Sequence, residues 1–205
     1  MLHKIPQGLD GSLAVLTEPL AAAIQTFENF PIERPATVAI LGPGRLGILI
    51  TFIASLCGHT VLAISRNTQK RERAIYFGAS ESFSPKEAES AIKTITEGKG
   101  VDIAVDATGS PEGLNLALGL VRPRGTVVVK TTCGIPTNGI DMTRVVVDEI
   151  RIQGSRCGPF GRALEILKEN QEQLRNLIPT PQPLGNAQAA IESAFSEPKV
   201  ILRVD

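Results

Sequence analysis

The sequence has no tryptophan, one tyrosine, two histidines and three cysteines among 205 residues, and each shortage removes a class of function. Cys57, Cys133 and Cys157 are too few and too widely spaced for a disulfide framework or a paired-cysteine zinc site, and they read as small buried apolar residues. His3 and His59 stand in no pattern with a second ligand or base, so neither is assigned chemistry. No run approaches the ~18 apolar residues of a membrane span, and the opening Met1-Leu2-His3-Lys4-Ile5-Pro6 lacks the apolar stretch of a secretory signal. A cytoplasmic protein is expected. Charge of one sign is not in excess: Lys plus Arg and Asp plus Glu are both 21, so no global field favours nucleic acid or an anionic membrane. Any charge recognition must be local.

What is present is a hydrophobic content of 42%, enough at this length for one ordinary globular core. From Ala36 onward, short β-branched runs alternate with helical patterns, the mark of parallel strands joined by crossover helices. The runs are Thr37 to Leu41, Thr60 to Ile64, a weak one at Glu81 to Phe83, Val101 to Val105, Thr126 to Val129 and Ile150 to Gly154. Helices are expected to begin near Arg45, Asn67, Pro85 and Pro111, with the two prolines in first helical turns. The apolar segment Arg45 to Cys57 reads as a buried helix closed by a left-handed Gly58. The pattern predicts an α/β fold, a Rossmann-type doubly wound parallel sheet with flanking helices.

The ends differ from this middle. Pro19 suits the first position of a helix, which makes Glu18 its cap and Leu20, Ile24 and Phe27 its buried stripe. Residues 1–30 are therefore assigned to a connecting segment with its helix, and residues 31–205 to the α/β domain with a return segment at its carboxyl end. Past Phe160 come a polar helix, a stretch interrupted by Pro179, Pro181 and Pro183, another helix and the run Val200 to Val204.

Gly42-Pro43-Gly44-Arg45-Leu46-Gly47 follows a strand and opens a helix. In such a turn the first glycine makes the bend, the second admits a pyrophosphate and the third lets helix and strand touch, so these six residues predict dinucleotide binding. A dinucleotide fold usually ends its second strand with Asp or Glu to bind the ribose hydroxyls; here Ser65 and Arg66 stand there. No carboxylate at that position repels a 2′-phosphate, Ser65 can donate to it, and Arg66 can form charge-assisted bonds worth about 1.5 to 3 kcal/mol. NADP(H) is the expected cofactor, ahead of NAD(H). Lys70 and Arg71, on the next helical turn, either reinforce this pocket or form a solvated face beside Glu72. A methyltransferase normally has an acid at the end of the second strand, and a short-chain reductase needs a tyrosine with a lysine four residues on, whereas Tyr76 is followed there by Ser80. Both alternatives lose ground.

Further motifs accompany the turn: Glu18-Pro19-Leu20-Ala21, Phe77-Gly78-Ala79, Asp106-Ala107-Thr108-Gly109-Ser110, Arg124-Gly125-Thr126-Val127-Val128 and Glu149-Ile150-Arg151-Ile152-Gln153-Gly154-Ser155. With them, nearly the whole chain resembles the nucleotide-binding half of the zinc-dependent medium-chain dehydrogenases, the group of alcohol, sorbitol and threonine dehydrogenases. The resemblance implies an additional amino-terminal catalytic domain carrying the zinc ligands, and this chain has no Gly-His-Glu motif or close cysteine set to supply them. Zinc belongs to the family, but no metal site and no catalytic residue are assigned here. The resemblance places Glu18 where the family's acid approaches zinc, against a helix-capping reading of the same carboxylate. It places Thr131, Thr132 and Cys133, with Ser155 and Arg156, near the nicotinamide. Thr108 and Gly109, at the carboxyl end of the fourth strand, are candidate cofactor contacts or a plain turn.

The expected function is the NADP(H)-binding domain of an alcohol dehydrogenase-like oxidoreductase that transfers hydride between an alcohol or carbonyl and the nicotinamide, and that is inactive alone. The alternative is a noncatalytic NAD(P)H-binding sensor or assembly module. Val145-Val146-Val147 lies where the family pairs subunits along the sheet edge, so a homodimer is expected, the other reading being a helix that covers the edge.

Overall fold

A computed structural model describes residues 2–28, 32, 35–194 and 199–204. The chain divides into two compact units, Ala22–Gly158 and Met1–Ala21 with Pro159–Asp205.

The larger unit is built on a parallel sheet of six strands: β1 (Thr37–Leu41), β2 (Thr60–Ile64), β3 (Glu81–Phe83), β4 (Val101–Asp106), β5 (Val121–Val129) and β6 (Arg151–Gly154). Their spatial order is β3-β2-β1-β4-β5-β6, so the winding reverses between β1 and β4. The crossovers contain α2 (Gly47–Leu56), α3 (Thr68–Tyr76), α4 (Pro85–Ile95), α5 (Gly113–Leu120) and α6 (Met142–Val147), while α1 (Thr17–Glu28) precedes the sheet. This is a Rossmann-type α/β fold.

The alternation of each strand sets two core faces. Ala39, Leu41, Leu62, Ile64, Ala104 and Val127 join Ala88 and Ile92 of α4 and Ala117, Leu118 and Leu120 of α5 in one buried cluster. On α2, Gly47 through Ala54 is buried continuously, and the helix packs on β1 and β2. It ends as expected, with Gly58 at φ 79° donating to the Ser55 carbonyl. Asn67 caps α3 by accepting from Lys70 N–H at 2.9 Å, and Ser84 and Glu87 close a capping box ahead of Pro85 at the start of α4.

Four local expectations are corrected. The cysteines are not buried: Cys57 and Cys133 are half-buried and Cys157 is exposed. The helix at Pro19 begins earlier, at Thr17, because a 3-10 turn over Leu13–Leu16 runs directly into it. Pro19 is then the third helical residue, where its missing N–H is still harmless, and Glu18 is an exposed first-turn residue, not the cap. Of the expected stripe, Leu20 and Ile24 are buried and Phe27 is half-buried. Pro111 lies outside α5: Gly113 N–H donates to the Ser110 carbonyl at 3.1 Å, so Ser110 to Gly113 is a turn and the helix starts at Gly113. β5 starts five residues before Thr126, at Val121, with a register break that ejects the Arg122-Pro123-Arg124-Gly125 segment.

In the smaller unit, α7 (Phe160–Glu169) buries Ala163, Leu164, Ile166 and Leu167 on one face, followed by the single turn α8 (Gln171–Leu174). Further on, α9 (Ala187–Ser193) lies between β7 (Gln182–Pro183) and β8 (Leu202–Arg203), which pair in parallel. Asp10 accepts from Arg175 at 3.1 Å and its backbone N–H donates to Gln171, which joins the two ends of the chain. Among the described residues no helix is long and apolar enough to cross a membrane.

Arg124 is held at φ 60° within the ejected segment and pairs with Glu149, itself at φ 51°. Both side chains are more than 60% exposed, so the pair contributes little, whereas a left-handed non-glycine residue costs about 1–2 kcal/mol. Arg124→Gly, offset partly by glycine's extra freedom in the unfolded chain, is expected to be neutral or to stabilise by up to about 1 kcal/mol. A fall in melting temperature in that variant would contradict this account of the segment.

Candidate functional site

The carboxyl ends of β1, β2 and β4 meet beside the point where the winding reverses, and the glycine turn sits at the first of them. Gly42 has φ 79°, and a Cβ there would lie 2.9 Å from the Ala107 carbonyl oxygen and from Thr108 Cα. A side chain is therefore excluded twice, by conformation and by the β4–α5 turn. A Cβ on Gly47 would collide with the Gly42 carbonyl oxygen, so the third glycine sets how closely α2 approaches β1. Gly44 has nothing within 4 Å of an added Cβ: its face is open. The turn is pinned by Gly42 N–H donating to the Ile64 carbonyl at 2.9 Å and Ala107 N–H donating to the Leu41 carbonyl at 2.9 Å. Three strand ends are thereby tied into one rim.

A cavity of about 450 Å3 opens at this rim. Leu41, Gly42, Ile64, Pro85 and Leu116 give it apolar surface; Ser65, Arg66, Asn67 and Lys70 come from the β2–α3 loop, and Thr108, Ser110, Glu112 and Gly113 from the β4–α5 loop. Of the residues expected from sequence, Gly42, Ser65, Arg66, Lys70 and Thr108 are brought together here. Gly44, Arg45, Leu46 and Gly47 continue from it along the start of α2, outside the cavity lining, with Arg45 exposed.

The two cations that the sequence left equivalent are separated by the structure. Arg71 turns back on its own loop, with Nη1 donating to the Ser65 carbonyl at 2.7 Å and to the Arg66 carbonyl at 3.3 Å, and Nη2 donating to Thr68 Oγ1 at 3.0 Å. It organises the loop. Lys70 and Arg66 line the cavity, and their charged ends make no hydrogen bond or ion pair among the described residues. Ser65 Oγ accepts from Asn67 N–H at 3.2 Å, and its own proton has no acceptor among the described residues. This wall offers an anion one hydroxyl and two cations.

At the end of β4, outside the lining, buried Asp106 accepts from Thr108 N–H at 3.0 Å and from Thr108 Oγ1 at 2.7 Å. The Thr108 hydroxyl also accepts from Ser110 N–H, so its role is to shape the turn. Gly109 N–H donates to Thr131 Oγ1 at 2.8 Å, which joins the ends of β4 and β5. Thr131, Thr132 and Cys133 follow β5 outside the cavity: Thr132 is exposed, and Cys133 Sγ donates to the Ile135 carbonyl at 3.3 Å. Lys130 Nζ donates to the Ala22 carbonyl at 2.7 Å and to Ser155 Oγ at 3.0 Å, fastening α1 to the ends of β5 and β6. Arg156 is exposed nearby. His59 is buried, accepting at Nδ1 from Ala36 N–H at 3.4 Å.

Sequence reasoning did not assign Leu41, Ile64, Asn67, Pro85, Ser110, Glu112, Gly113 and Leu116 of the lining. The Ser110 hydroxyl donates to the Glu112 carboxylate; that bond first, then Glu112's own N–H and the Arg66 guanidinium, hold its carboxyl below the usual carboxylate range. Glu112 is therefore ionised at neutral pH. The signal was the fold itself, since the loop after β4 must face the loop after β2 across β1 in this strand order.

With this geometry in hand, comparison with known proteins is specific. The family model described as zinc-binding dehydrogenase matches residues 46–172, more than half of the chain. The chain belongs to this family. The zinc-binding dehydrogenase relatives include sorbitol dehydrogenase of Bacillus subtilis, 26% identical over 208 residues that cover 98% of this chain and 58% of that protein. An alcohol dehydrogenase from Thermotoga maritima has a TM-score of 0.89 at 26% identity, covering 99% of this chain and 60% of that one. A Sinorhizobium meliloti protein described as a zinc-binding dehydrogenase, solved bound to NADP, has a TM-score of 0.82 at 27% identity, covering 92% of this chain and 58% of that one. The chain thus spans somewhat over half the length of the relatives it matches.

Among the described residues, no three His, Cys, Asp or Glu side chains are grouped so that they could hold a metal ion. No step is assigned to a metal here.

Gly47→Ala tests the rim directly. Forcing a methyl group against the Gly42 carbonyl is expected to cost about 1–3 kcal/mol, read as a lowered melting temperature. An unchanged melting temperature would show that α2 and β1 are not in contact there.

Proposed function

We propose that this chain binds NADP(H), in preference to NAD(H), as the nucleotide-binding part of an alcohol dehydrogenase-like oxidoreductase. The observation that carries the reading is the wall of Ser65, Arg66 and Lys70 in the 450 Å3 cavity next to the glycine turn. The adenosine end fits the cavity between Ile64 and Leu116, with the 2′-phosphate at the end of β2. Gly44, open on its outer face, leaves room for the pyrophosphate at the amino terminus of α2. The cofactor then runs on toward Thr131, Thr132 and Cys133, where the nicotinamide end would lie.

The cofactor, once bound, supplies the redox chemistry, accepting or giving a hydride. The residues of this chain position it: the buried strands beneath hold the rim rigid, and the polar loops above fix the phosphates. In this reading the groups that hold an alcohol or carbonyl, and the zinc the family uses, come from a separate catalytic domain, so the chain alone binds cofactor without turnover. Residues 1–30 serve as the connection to that domain.

Calorimetric titration with NADPH and with NADH checks the assignment. NADPH is expected to bind at least about tenfold more tightly, equivalent to about 1.4 kcal/mol. Ser65→Asp, which puts a carboxylate beside the 2′-phosphate position, is expected to reverse that order. Equal binding by the unaltered chain, or a retained NADPH preference in the variant, contradicts the assignment.

We further propose a homodimer formed along the β6 edge. Ile152 on that strand is 41% exposed, and Val146 and Val147 of α6 are 71% and 73% exposed, while Val145 packs inward on the core. The helix leaves Val146 and Val147 in water, and an apolar edge of this kind invites pairing. Light scattering is expected to give twice the chain mass; a monomer at high concentration would exclude the pairing.

A further inference from the structure

The cavity that presents Arg66 and Lys70 also contains a carboxylate. Glu112 reaches its lining from the β4–α5 loop, on the wall facing the β2–α3 loop. Its side chain accepts from the Ser110 hydroxyl, and Ser110 Oγ in turn accepts from Glu112 N–H at 3.4 Å, a local arrangement that holds the charge at the cavity. No ion pair closes between Glu112 and Arg66, so neither charge cancels the other by direct contact. The Arg66 charge nevertheless helps to lower the Glu112 carboxyl, so the two groups, both on the lining, sense each other.

We propose that Glu112 is a specificity-determining residue of this pocket: its carboxylate opposes the 2′-phosphate drawn in by Arg66 and Lys70, and so limits how strongly the site prefers NADP(H). The inference rests on the reading of the cavity as the adenosine site. A 2′-phosphate brings close to two negative charges, whereas the 2′-hydroxyl of NAD(H) brings none. Glu112 therefore acts on one cofactor and leaves the other nearly untouched. Its effect is opposite in sign to that of Arg66. The site as built narrows the gap between the two cofactors by holding down its affinity for NADP(H) alone.

The test uses the adenosine ends of the two cofactors, adenosine 2′,5′-bisphosphate and 5′-AMP, titrated against the unaltered chain, Glu112→Gln and Glu112→Lys. Glutamine retains an acceptor for Ser110, and a thermal melt of each variant checks that it folds. Glu112→Gln is expected to tighten the bisphosphate about three- to tenfold at low salt while changing 5′-AMP by less than about twofold, and Glu112→Lys is expected to tighten it further. The gain should shrink as salt rises, which a packing effect would not do. An unchanged or weakened bisphosphate affinity in Glu112→Gln, or an equal gain for both ligands, overturns the inference while leaving the adenosine site standing. Failure of the unaltered chain to bind either ligand removes the adenosine site itself, and the inference with it.

Discussion

The contact between the amino terminus of α2 and the carboxyl end of β1 is the constraint on which the site depends. Gly47 lies against the Gly42 carbonyl, and Gly42 lies against Ala107 and Thr108 of the β4–α5 turn. Three backbones meet there with no room for a side chain. Because the sheet winds outward in both directions from β1 and β4, the loops after β2 and β4 then rise on either side of this meeting point and enclose a space between them. The cavity follows from strand order, and the glycines decide how near helix and strand come to one another.

The polar residues divide between building that space and furnishing it. Asp106, Thr108 and Thr131 direct their hydrogen-bonding groups to backbone and to each other, which fixes the loops after β4 and β5. Arg71 does the same for the loop after β2. What remains turned to the cavity is a short set of charges, Arg66 and Lys70 against Glu112. In the proposed reading, cofactor choice is a balance among these three charges, and such a balance responds to single substitutions and to salt.

The strands at Thr37, Thr60 and Glu81, the buried helix ending at Gly58 and the capped start of α3 were legible in the sequence, because each is written in a local pattern of alternation, apolar run or cap. So were Gly42, Ser65 and Arg66, whose positions follow from one motif and its distance to the next strand end. Less local features were not. Nothing near Arg71 says that it folds back on Ser65 while Lys70 does not; the distinction exists only in the folded loop. Pro111 and Pro19 mark helix starts only to within two residues, since a preceding turn can shift the first helical residue either way. Glu112 entered the cavity through tertiary structure, from a loop 46 residues beyond Arg66, and no spacing rule joins the two.

The claim that this rim is a dinucleotide site is tested most directly by following backbone amide resonances of the isotopically labelled chain during a titration with NADP+. The account predicts that shifts concentrate in Gly42 to Gly47, Ser65 to Lys70 and Thr108 to Glu112, with a second group at Thr131 to Cys133. Shifts absent from the glycine turn, or centred instead on Gly8 to Asp10 and Gln171 to Arg175, would contradict it.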